Sequence, residues 1–466
     1  MKRAIFLVAG FVFFTGCAVG PNYRSPQVSV PEQWTSSLAG GETNGPADVV
    51  AWWKNFGDTE LDSLIAMAVR SNLTLQIAEA RVREARAQEA VAVGGFWPSL
   101  SGTAAYSRDR WGKNSFPPLP PTTPLNFNFY NTGFDAAWEL DIFGGTRRAI
   151  EAANAEIGAA VYGQRDVLVS LLSEVARNYI SARAFQRRLD ITRQNIQVEQ
   201  EFLRLTDSRF QNGLSSELDV QQATALLTAT QAEVPSLEIS FQQSVYALSI
   251  LLAKPPGALI EEMSIDKPIP VNPPVVPVGL PSDLLKRRPD IQRAQREFAA
   301  ATARIGVATA DLFPKFSLTG MGGFESLSAD NWFDYASRYA SVGPTVQWEL
   351  FEAGRIRANI RVQNARQEQA LDSYQQIVLT ALQDVENALT AYAKEQIRRE
   401  SLAQSEQANK RALDLSSQLY KNGLTDFLHV LDSQRSFDTA QDALVQSDQT
   451  VALDLVQLYK ALGGGW

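Results

Sequence analysis

The stretch Phe210-Gln211-Asn212-Gly213-Leu214 decides the fold, because the chain repeats it as Tyr420-Lys421-Asn422-Gly423-Leu424, with every residue number raised by 210. Two other segments return in the same order: Gly95–Ser101 as Leu312–Ser317, and Trp138-Glu139-Leu140 as Trp348-Glu349-Leu350. Each copy is predicted to run as a helix, two strands, a very long helix, an Asn-Gly turn and a return helix. Since the repeat is too long for a solenoid unit, the duplication predicts two halves of one pseudo-symmetric structure.

Proline marks where long helices are allowed. No proline lies between Pro124 and Pro235, and none follows Pro344. Because a proline inside a helix costs about 3 kcal/mol or more, these stretches favour long helices over 145–211 and 354–421. Each helix would be about 100 Å long at 1.5 Å per residue. Each would end at an Asn-Gly pair, whose residues tolerate the left-handed conformation that stops a helix.

The return helices, predicted over 215–252 and 425–462, carry an apolar residue at every seventh position. These seam residues are Val220, Leu227, Val234, Phe241 and Leu248 in the first copy and Val430, Phe437, Leu444, Val451 and Leu458 in the second. A strict seven-residue period is typical of helices packed along helices in a coiled coil. Pro235 predicts a slight kink in the first return helix. Leading helices are predicted over 61–94 and 282–310.

Four segments, 100–107, 134–141, 316–324 and 340–350, alternate apolar and polar residues. In the second segment, Phe134, Ala136, Trp138 and Leu140 alternate with Asp135, Ala137, Glu139 and Asp141. One apolar and one polar face over about 10 residues is the pattern of outer-membrane β-strands. A soluble sandwich gives the same alternation with its apolar face inward, but a secretory N-terminus and the long helices favour a membrane barrel.

Four strands cannot close a barrel, and an open sheet edge in lipid leaves backbone groups without hydrogen-bond partners. The chain is therefore expected to oligomerise. Two copies supply eight strands, whose interior side chains largely fill, whereas three copies supply twelve, which is wide enough for a channel.

The N-terminus predicts export from the cytoplasm. Lys2 and Arg3 precede the apolar run Ala4–Phe14, which has the length of a signal peptide and is too short for a permanent span. Cys17, the single cysteine, follows Gly16 and resembles the lipobox cysteine of bacterial lipoproteins, although Phe14 stands where that motif usually has Leu. Ala18 follows instead of the aspartate of an inner-membrane retention signal. We therefore expect a lipid anchor on Cys17 at the outer membrane.

Composition excludes several classes of function. The formal net charge of −8 argues against nucleic acid, since a phosphate-binding surface needs excess Lys and Arg. The chain has one His and one Cys, and the Cys is expected to be acylated. These residues cannot form an ordinary zinc site or supply a cysteine nucleophile. It carries neither a Walker-type loop nor a dinucleotide fingerprint. We expect no enzyme activity, and no cofactor beyond the covalent lipid.

Together with Val19-Gly20-Pro21-Asn22-Tyr23, Trp52-Trp53 and the two Asn-Gly-Leu turns, these features resemble the TolC-like outer-membrane efflux lipoproteins. The resemblance covers essentially the whole chain. It implies a mainly α-helical fold with a membrane β-barrel: a homotrimer in which a 12-strand barrel continues into a 12-helix periplasmic coiled-coil tunnel. It also implies a duct that exports small toxic solutes, served by a periplasmic adaptor and an inner-membrane RND-type transporter.

Carried over by position, the resemblance implies a periplasmic gate at Leu428, Asp432 and Arg435 and a latch formed by Asp219 and Tyr420. The family's basic latch residue falls at Thr425, so that second latch contact lacks its charge. A further interpretation treats Asp432 and Arg435 as a solvated helical pair worth a few tenths of a kcal/mol. His429, the single histidine, lies beside them and is expected to be a bystander. Adaptor docking is expected at Asn212, Gly213, Leu214, Asn422, Gly423 and Leu424.

Two other functions fit parts of the pattern. The same duct could serve a type I protein-secretion system. A trimeric adhesin also combines coiled coil with four strands per chain, but it would place the strands together at the C-terminus. The expected domains are a signal peptide (1–16), a lipid-anchored periplasmic segment (17–60), a first repeat (61–254), a proline-rich linker (255–281) and a second repeat (282–466).

Overall fold

The structure, a computed structural model, describes residues 18–36, 42–43, 49–112, 114, 124–270 and 276–466. The signal peptide and Cys17 lie outside the described residues. The helices of the described chain are α1 Thr59–Ser71, α2 Leu73–Gly94, α3 Gly145–Gln211, α4 Glu217–Leu251, α5 Ile260–Met263, α6 Leu284–Arg287, α7 Pro289–Ala310, α8 Arg355–Lys421 and α9 Phe427–Ala461. Its strands are β1 Glu42–Thr43, β2 Ser99–Arg110, β3 Asn126–Leu140, β4 Val276–Pro277, β5 Lys315–Ser326 and β6 Arg338–Gln347.

The chain divides into two compact units. The first comprises residues 1–26, 82–159 and 294–373 and contains a four-stranded sheet of order β2-β3-β5-β6. The second comprises 27–81, 160–293 and 374–466 and contains a parallel pair of short strands, β1 and β4. None of the helices in the described ranges has the length and apolarity needed to cross a bilayer.

The two long helices are confirmed. Helices α3 and α8 each run for 67 residues and end at the predicted Asn-Gly turns. The return helices α4 and α9 have 35 residues each, and α4 continues through Pro235. All ten seam residues of the return helices are buried or half-buried, so the seven-residue period does mark packed faces.

The leading helices were predicted to be continuous, and this was wrong at both copies. The first breaks at Asn72, whose backbone is extended and whose side-chain oxygen accepts from Leu75 N at 2.9 Å, capping α2. Its amide nitrogen donates to Leu251 O at 2.9 Å. The second breaks at Arg288, because the proline that follows it disfavours the helical conformation at the preceding residue.

The alternating faces of the sheet are confirmed by its register. Trp138, Leu318 and Pro344 lie opposite one another on neighbouring strands, on what we call the apolar face. The next positions along the strands, Glu139, Ser317 and Thr345, share the opposite side, the polar face. Since facing positions on antiparallel strands project to the same side, this pairing keeps the two chemistries separate across β3, β5 and β6.

Two strand ends were predicted too far along the chain. Strand β3 ends at Leu140, because both carboxylate oxygens of Asp141 accept backbone N–H groups at the start of α3, from Thr146 and Arg147. Strand β6 ends at Gln347, so Trp348, Glu349 and Leu350 lie beyond it. The two repeated tryptophans make equivalent hydrogen bonds at the strand ends. Trp138 Nε1 donates to Phe96 O at 2.9 Å, and Trp348 Nε1 donates to Leu312 O at 3.1 Å.

The core of the second unit lies mainly between helices. Its most deeply buried apolar side chains come from α1, α3, α4 and α9 and are all 2% exposed or less. They are Leu61, Leu64, Ile65, Val175, Tyr179, Ile180, Leu248, Leu455 and Leu458. The indole of Trp52 is fully buried and stacks on Tyr459 with ring centroids 5.3 Å apart. A separate apolar cluster, the tip cluster, lies near the two Asn-Gly turns and consists of Ala223, Leu413, Tyr420, Phe427, Val430 and Leu431.

Candidate functional site

The two Asn-Gly turns share one backbone geometry. Gly213 and Gly423 both have φ of 72°, a left-handed conformation that favours glycine. Leu214 N donates to Arg209 O at 2.8 Å, and Leu424 N donates to Leu419 O at 2.9 Å. With the bonds from Gly213 N and Gly423 N to the carbonyls three residues back, this is the Schellman pattern that ends a helix. All six predicted docking residues at the turns are exposed.

The helices that follow the turns begin differently. Helix α4 has a complete capping box, in which Ser216 Oγ accepts from Asp219 N and Asp219 Oδ2 accepts from Ser216 N at 3.0 Å. Ser215 Oγ also donates to Asp219 Oδ2 at 3.0 Å. Helix α9 begins after Asp426, whose side chain makes no capping hydrogen bond. The first copy of the repeat therefore has the firmer helix start.

The predicted gate residues form one exposed stripe on α9. Leu428, Asp432 and Arg435 are spaced four and three residues apart, which places them on one side of the helix, and all three are exposed. Val430 and Leu431 on the same turns are buried. No ion pair joins Asp432 to Arg435 in the described part of the chain, so the solvated-pair interpretation finds no support in this geometry. The structure does bring the three predicted residues together.

Tyr420 is held by a residue that the sequence reasoning missed. Its ring lies 4.6 Å from the guanidinium carbon of Arg209 and 5.5 Å from the ring of Phe427, and the side chain is 3% exposed. Arg209 Nη1 also donates to Tyr420 O at 3.2 Å. The Arg209 contact ties the end of α3 to the end of α8. The sequence did contain a signal for Arg209, because the repeat is broken there: the corresponding residue of the second copy is the uncharged Leu419.

The predicted latch pair is not hydrogen bonded in this single chain. Among the described residues the Tyr420 hydroxyl has no hydrogen-bond partner, and the carboxylate of Asp219 is occupied by its capping box. Thr425 lies between the second turn and α9 and is half-buried. The role of Asp219 and Tyr420 as a latch stays a prediction, and it concerns an assembly of several chains.

Further from the turns, two carboxyl groups meet between α3 and α9. Glu199 is 1% exposed, and its Oε1 accepts from Thr230 Oγ1 at 2.9 Å. Asp438 Oδ1 accepts from Gln434 Nε2 at 2.8 Å. Burial raises the pKa of Glu199 to about 7 and the pKa of Asp438 to about 6, and Glu199 Oε2 and Asp438 Oδ2 have no hydrogen-bond partner among the described residues. We call them the carboxyl pair.

The carboxyl pair has a third acidic side chain beside it, and the nearby basic side chain is already paired. Glu233 of α4 faces both carboxyl groups, and burial raises its own pKa as well. The nearby guanidinium of Arg188 is engaged with Asp442, with Nε 2.5 Å from a carboxylate oxygen. Protonation of the carboxyl pair therefore removes buried negative charge from the contact between α3 and α9. Sequence spacing gave no signal for the pair, because its members are far apart along the chain.

The segment that follows Cys17 is fixed in the first unit. The buried guanidinium of Arg148 donates to Val19 O at 3.1 Å, to Gly20 O at 3.3 Å and to Asn22 Oδ1 at 2.7 Å. Gly20 has φ of 89° and packs so closely on Gly306 that an added Cβ would lie 2.4 Å from its Cα. These contacts explain the glycine within the Val19–Tyr23 motif. No cluster of three or more metal-ligating side chains occurs among the residues that the structure describes.

Comparison with known proteins shows similarity to outer-membrane proteins along nearly the whole chain. Residues 64–254 and 280–464 match the family model of outer membrane efflux proteins. Nodulation protein T of Rhizobium leguminosarum bv. viciae is 31% identical over 98% of this chain and 92% of its own length. The pyoverdine export outer membrane protein OpmQ of Pseudomonas aeruginosa is 33% identical over 100% of this chain and 97% of its own. The solved outer-membrane channel OprN aligns with a TM-score of 0.89 at 35% identity, over 97% of this chain and 100% of that one.

Proposed function

The chain belongs to the outer membrane efflux protein family, and from this premise we propose that it is the exit duct of a tripartite efflux pump. It is an outer-membrane channel protein and not an enzyme. In the proposed assembly three chains form a 12-strand barrel and a 12-helix periplasmic tunnel. An inner-membrane RND-type transporter loads solutes, and a periplasmic adaptor docks at the two Asn-Gly-Leu turns.

The observation that carries the proposal is the sheet of order β2-β3-β5-β6. It has one apolar and one polar face, and its outer strands β2 and β6 each pair on one side only within the described residues. An unpaired edge is not tolerated in lipid, so the sheet must close with copies of itself. Three copies give twelve strands, which leave an open lumen, whereas eight strands largely fill.

Two adjacent residues of β6 test the barrel. Val342 lies on the apolar face and is 79% exposed, and Ser341 lies on the polar face. Val342 lies inside the strand and away from both ends, so Val342→Arg is expected to cost about 2–4 kcal/mol, whereas Ser341→Arg leaves assembly intact and alters ion selectivity. Membrane-inserted trimer is measured by native electrophoresis after outer-membrane extraction. Equal loss in both variants, or a monomeric wild-type protein in mild detergent, contradicts the proposed barrel.

The gate is proposed at the exposed stripe Leu428, Asp432 and Arg435. Three copies around one axis bring three carboxylates together, a like-charge ring that favours cations. Asp432→Ala is expected to weaken cation preference in planar bilayers. The double variant Asp219→Ala/Tyr420→Phe removes the proposed latch and is expected to raise single-channel conductance. Wild-type conductance and selectivity in both variants would place the gate elsewhere.

The lipid anchor is proposed at Cys17, which is tested by metabolic labelling with palmitate. Cys17→Ala is expected to lose the label while the protein still inserts, because each acyl CH₂ adds only about 0.8 kcal/mol beside a whole barrel. Label that persists in the variant contradicts the assignment.

The proposed cargo is a small molecule. OpmQ, which matches the chain along its full length, is named for pyoverdine export. Deletion of the gene is expected to sensitise cells to small toxic solutes. Loss of a secreted polypeptide with unchanged solute tolerance would favour a protein-secretion duct instead.

A further inference from the structure

The apolar face carries charge at one end of the sheet only. From the helix end to the turn end, it presents Leu100, Gly102, Ala104, Tyr106, Arg108 and Arg110 on β2, and Val346, Pro344, Val342, Ala340 and Arg338 on β6. On β3 and β5 the same face presents no charged residue. Its three charged residues are therefore all arginines, and all lie toward the end where β2 leads to β3 and β5 leads to β6. We call Arg108, Arg110 and Arg338 the arginine set.

The arginine set lies where a strand is expected to leave the hydrocarbon. Arg108 is opposite Asn128, which is ten positions along β3 from Trp138. A tilted strand crosses the bilayer core in about 9–11 residues. Arginine on the lipid face costs about 2–4 kcal/mol at the midplane but only about 0–1 near the interface. The arginines therefore occupy a position where their charge is tolerated and can meet lipid headgroups.

No carboxylate of the described chain neutralises these arginines. All three are exposed, and none forms an ion pair with the described acidic residues. The nearby loop acids Asp330 and Asp334 are not paired with Arg338 either. Arg338 lies instead over aromatic rings, with its guanidinium carbon 4.5 Å from Tyr335 and 5.8 Å from Phe324. Its hydrogen-bond donors thus remain available to an anion.

An aromatic band lies beside the arginine set. Neighbouring ring centroids are 5.0 Å apart for Tyr106 and Tyr130, 5.2 Å for Tyr130 and Trp332, and 4.9 Å for Trp332 and Phe333. Tyrosine and tryptophan rings form girdles at the edges of the apolar band of membrane barrels. This band continues the apolar surface toward the charged end.

An open groove connects the apolar surface to Arg338. It has a volume of about 810 Å³ and is lined in part by Phe134, Phe324, Phe333 and Arg338. Phe134 and Phe333 are each 65% exposed, and Gly322 and Ala340 leave room between the rings. An acyl chain fits such an apolar groove, and a phosphate fits the guanidinium at its edge.

We propose that the arginine set and this groove bind phosphorylated lipids of the outer leaflet, with phosphate on the arginines and an acyl chain against Phe134 and Phe333. The inference rests on the proposed barrel, which places the turn end of the sheet in the outer leaflet. Arginine suits this partner because its planar donors engage phosphate in pairs. The helix end of the apolar face, which lacks arginine, is assigned no such binding.

The test titrates the full-length, detergent-purified protein with bis-phosphorylated lipid A and with the same lipid after enzymatic dephosphorylation. The test variant is Arg108→Gln/Arg110→Gln/Arg338→Gln. The control variant, Arg357→Gln/Arg361→Gln/Arg366→Gln, removes three exposed charges from α8. The test variant is expected to bind the phosphorylated lipid about tenfold more weakly, and the control variant as tightly as wild type. Phe333→Ala is expected to lower the binding affinity for both lipids by the same factor.

Three outcomes overturn the proposal: equal wild-type affinity for both lipids, wild-type affinity in the test variant, or full competition by inorganic phosphate, which indicates a free-phosphate site. Bilayer conductance separates this proposal from the proposed function. A test variant that conducts like wild type but binds lipid weakly supports both proposals. A wild-type protein that forms no pore contradicts the duct, whatever its lipid affinity.

Discussion

The two Asn-Gly turns have the same backbone and different surroundings. At the first turn Phe210 is 41% exposed. At the second turn, 210 residues later, Tyr420 is only 3% exposed and packs against Phe427, which is itself buried. The first return helix has a full capping box, whereas the second has no side-chain cap. Duplication has kept the turn and changed what holds each tip in place.

This difference separates two sources of stability. The first tip has local hydrogen bonds between residues close in sequence, in addition to the packing that Arg209 and Ala223 share with the second tip. The second tip depends on packing between helices, through Arg209 and the tip cluster. An exposed stripe on a helix held by packing can move when that packing changes. The second tip is therefore the better site for a gate, as proposed for Leu428, Asp432 and Arg435.

The largest expected effect comes from removing a buried aromatic ring at the second tip. Tyr420→Ala is expected to cost about 3–5 kcal/mol, as for a large buried aromatic. The matched variant Phe210→Ala removes a ring that is 41% exposed and is expected to cost roughly a third of that or less. Hydrogen–deuterium exchange in the last turns of α8 and α3 measures the two costs. Similar costs at both tips would contradict the contrast in packing.

Tyr420→Phe serves as a control for this pair. Its hydroxyl has no hydrogen-bond partner among the described residues, so its removal is expected to leave the local stability unchanged or slightly higher. An increase in channel conductance without loss of stability would then report on the latch, because packing is preserved.

The carboxyl pair makes the contact between α3 and α9 sensitive to pH. The pKa of Glu199 is raised to about 7 and that of Asp438 to about 6, so the folded state holds protons that the unfolded state has lost. This contribution is fully present below the unfolded pKa values near 4 and is lost as pH rises through 6 and 7. We expect a loss on the order of 3 kcal/mol for the pair between pH 5 and pH 8.

Hydrogen–deuterium exchange of α3 near Glu199 and of α9 near Asp438 measures this loss. Exchange, corrected for its intrinsic pH dependence, is expected to accelerate toward pH 8 in the wild type. Glu199→Gln keeps an acceptor for Thr230 and removes the titration, so its pH dependence is expected to be flatter. A contact between α3 and α9 that becomes more stable as pH rises would contradict the raised pKa values.

The sequence predicted what local chemistry determines. The long helices, their Asn-Gly ends and the alternating strands follow from residues close together along the chain, and the structure confirms them. The two breaks in the leading helices were missed although each has a local cause, the Asn72 cap on Leu75 N and the proline after Arg288; the bond from Asn72 to Leu251 O is the long-range part. Arg209 and the carboxyl pair were missed because their partners come from other helices. The gate positions came from a family resemblance and not from spacing.

The turns themselves offer a test in which the two tips should agree. Gly213 and Gly423 share a φ of 72°, and neither has an atom within 4 Å of where a Cβ would stand. Alanine therefore meets no steric clash with its surroundings, and only the left-handed backbone is penalised, by about 1–2 kcal/mol. Gly213→Ala and Gly423→Ala are expected to have equal effects on hydrogen exchange at their own tip. A difference between them would show that the turns are not equivalent.

The smallest expected effect distinguishes the two helix starts. Ser216→Ala removes the side-chain oxygen that accepts from Asp219 N and is expected to cost about 1 kcal/mol. Asp426→Ala, at the corresponding helix start of the second copy, removes a side chain that makes no capping bond and is expected to cost only a few tenths of a kcal/mol through the helix dipole. Exchange protection in the first turns of α4 and α9 gives both values. Because Asp219 belongs to the same capping box, Ser216→Ala is also the control for the latch variant. If Ser216→Ala alone raises conductance as much as Asp219→Ala/Tyr420→Phe does, the increase comes from a frayed helix start and the latch is not needed to explain it.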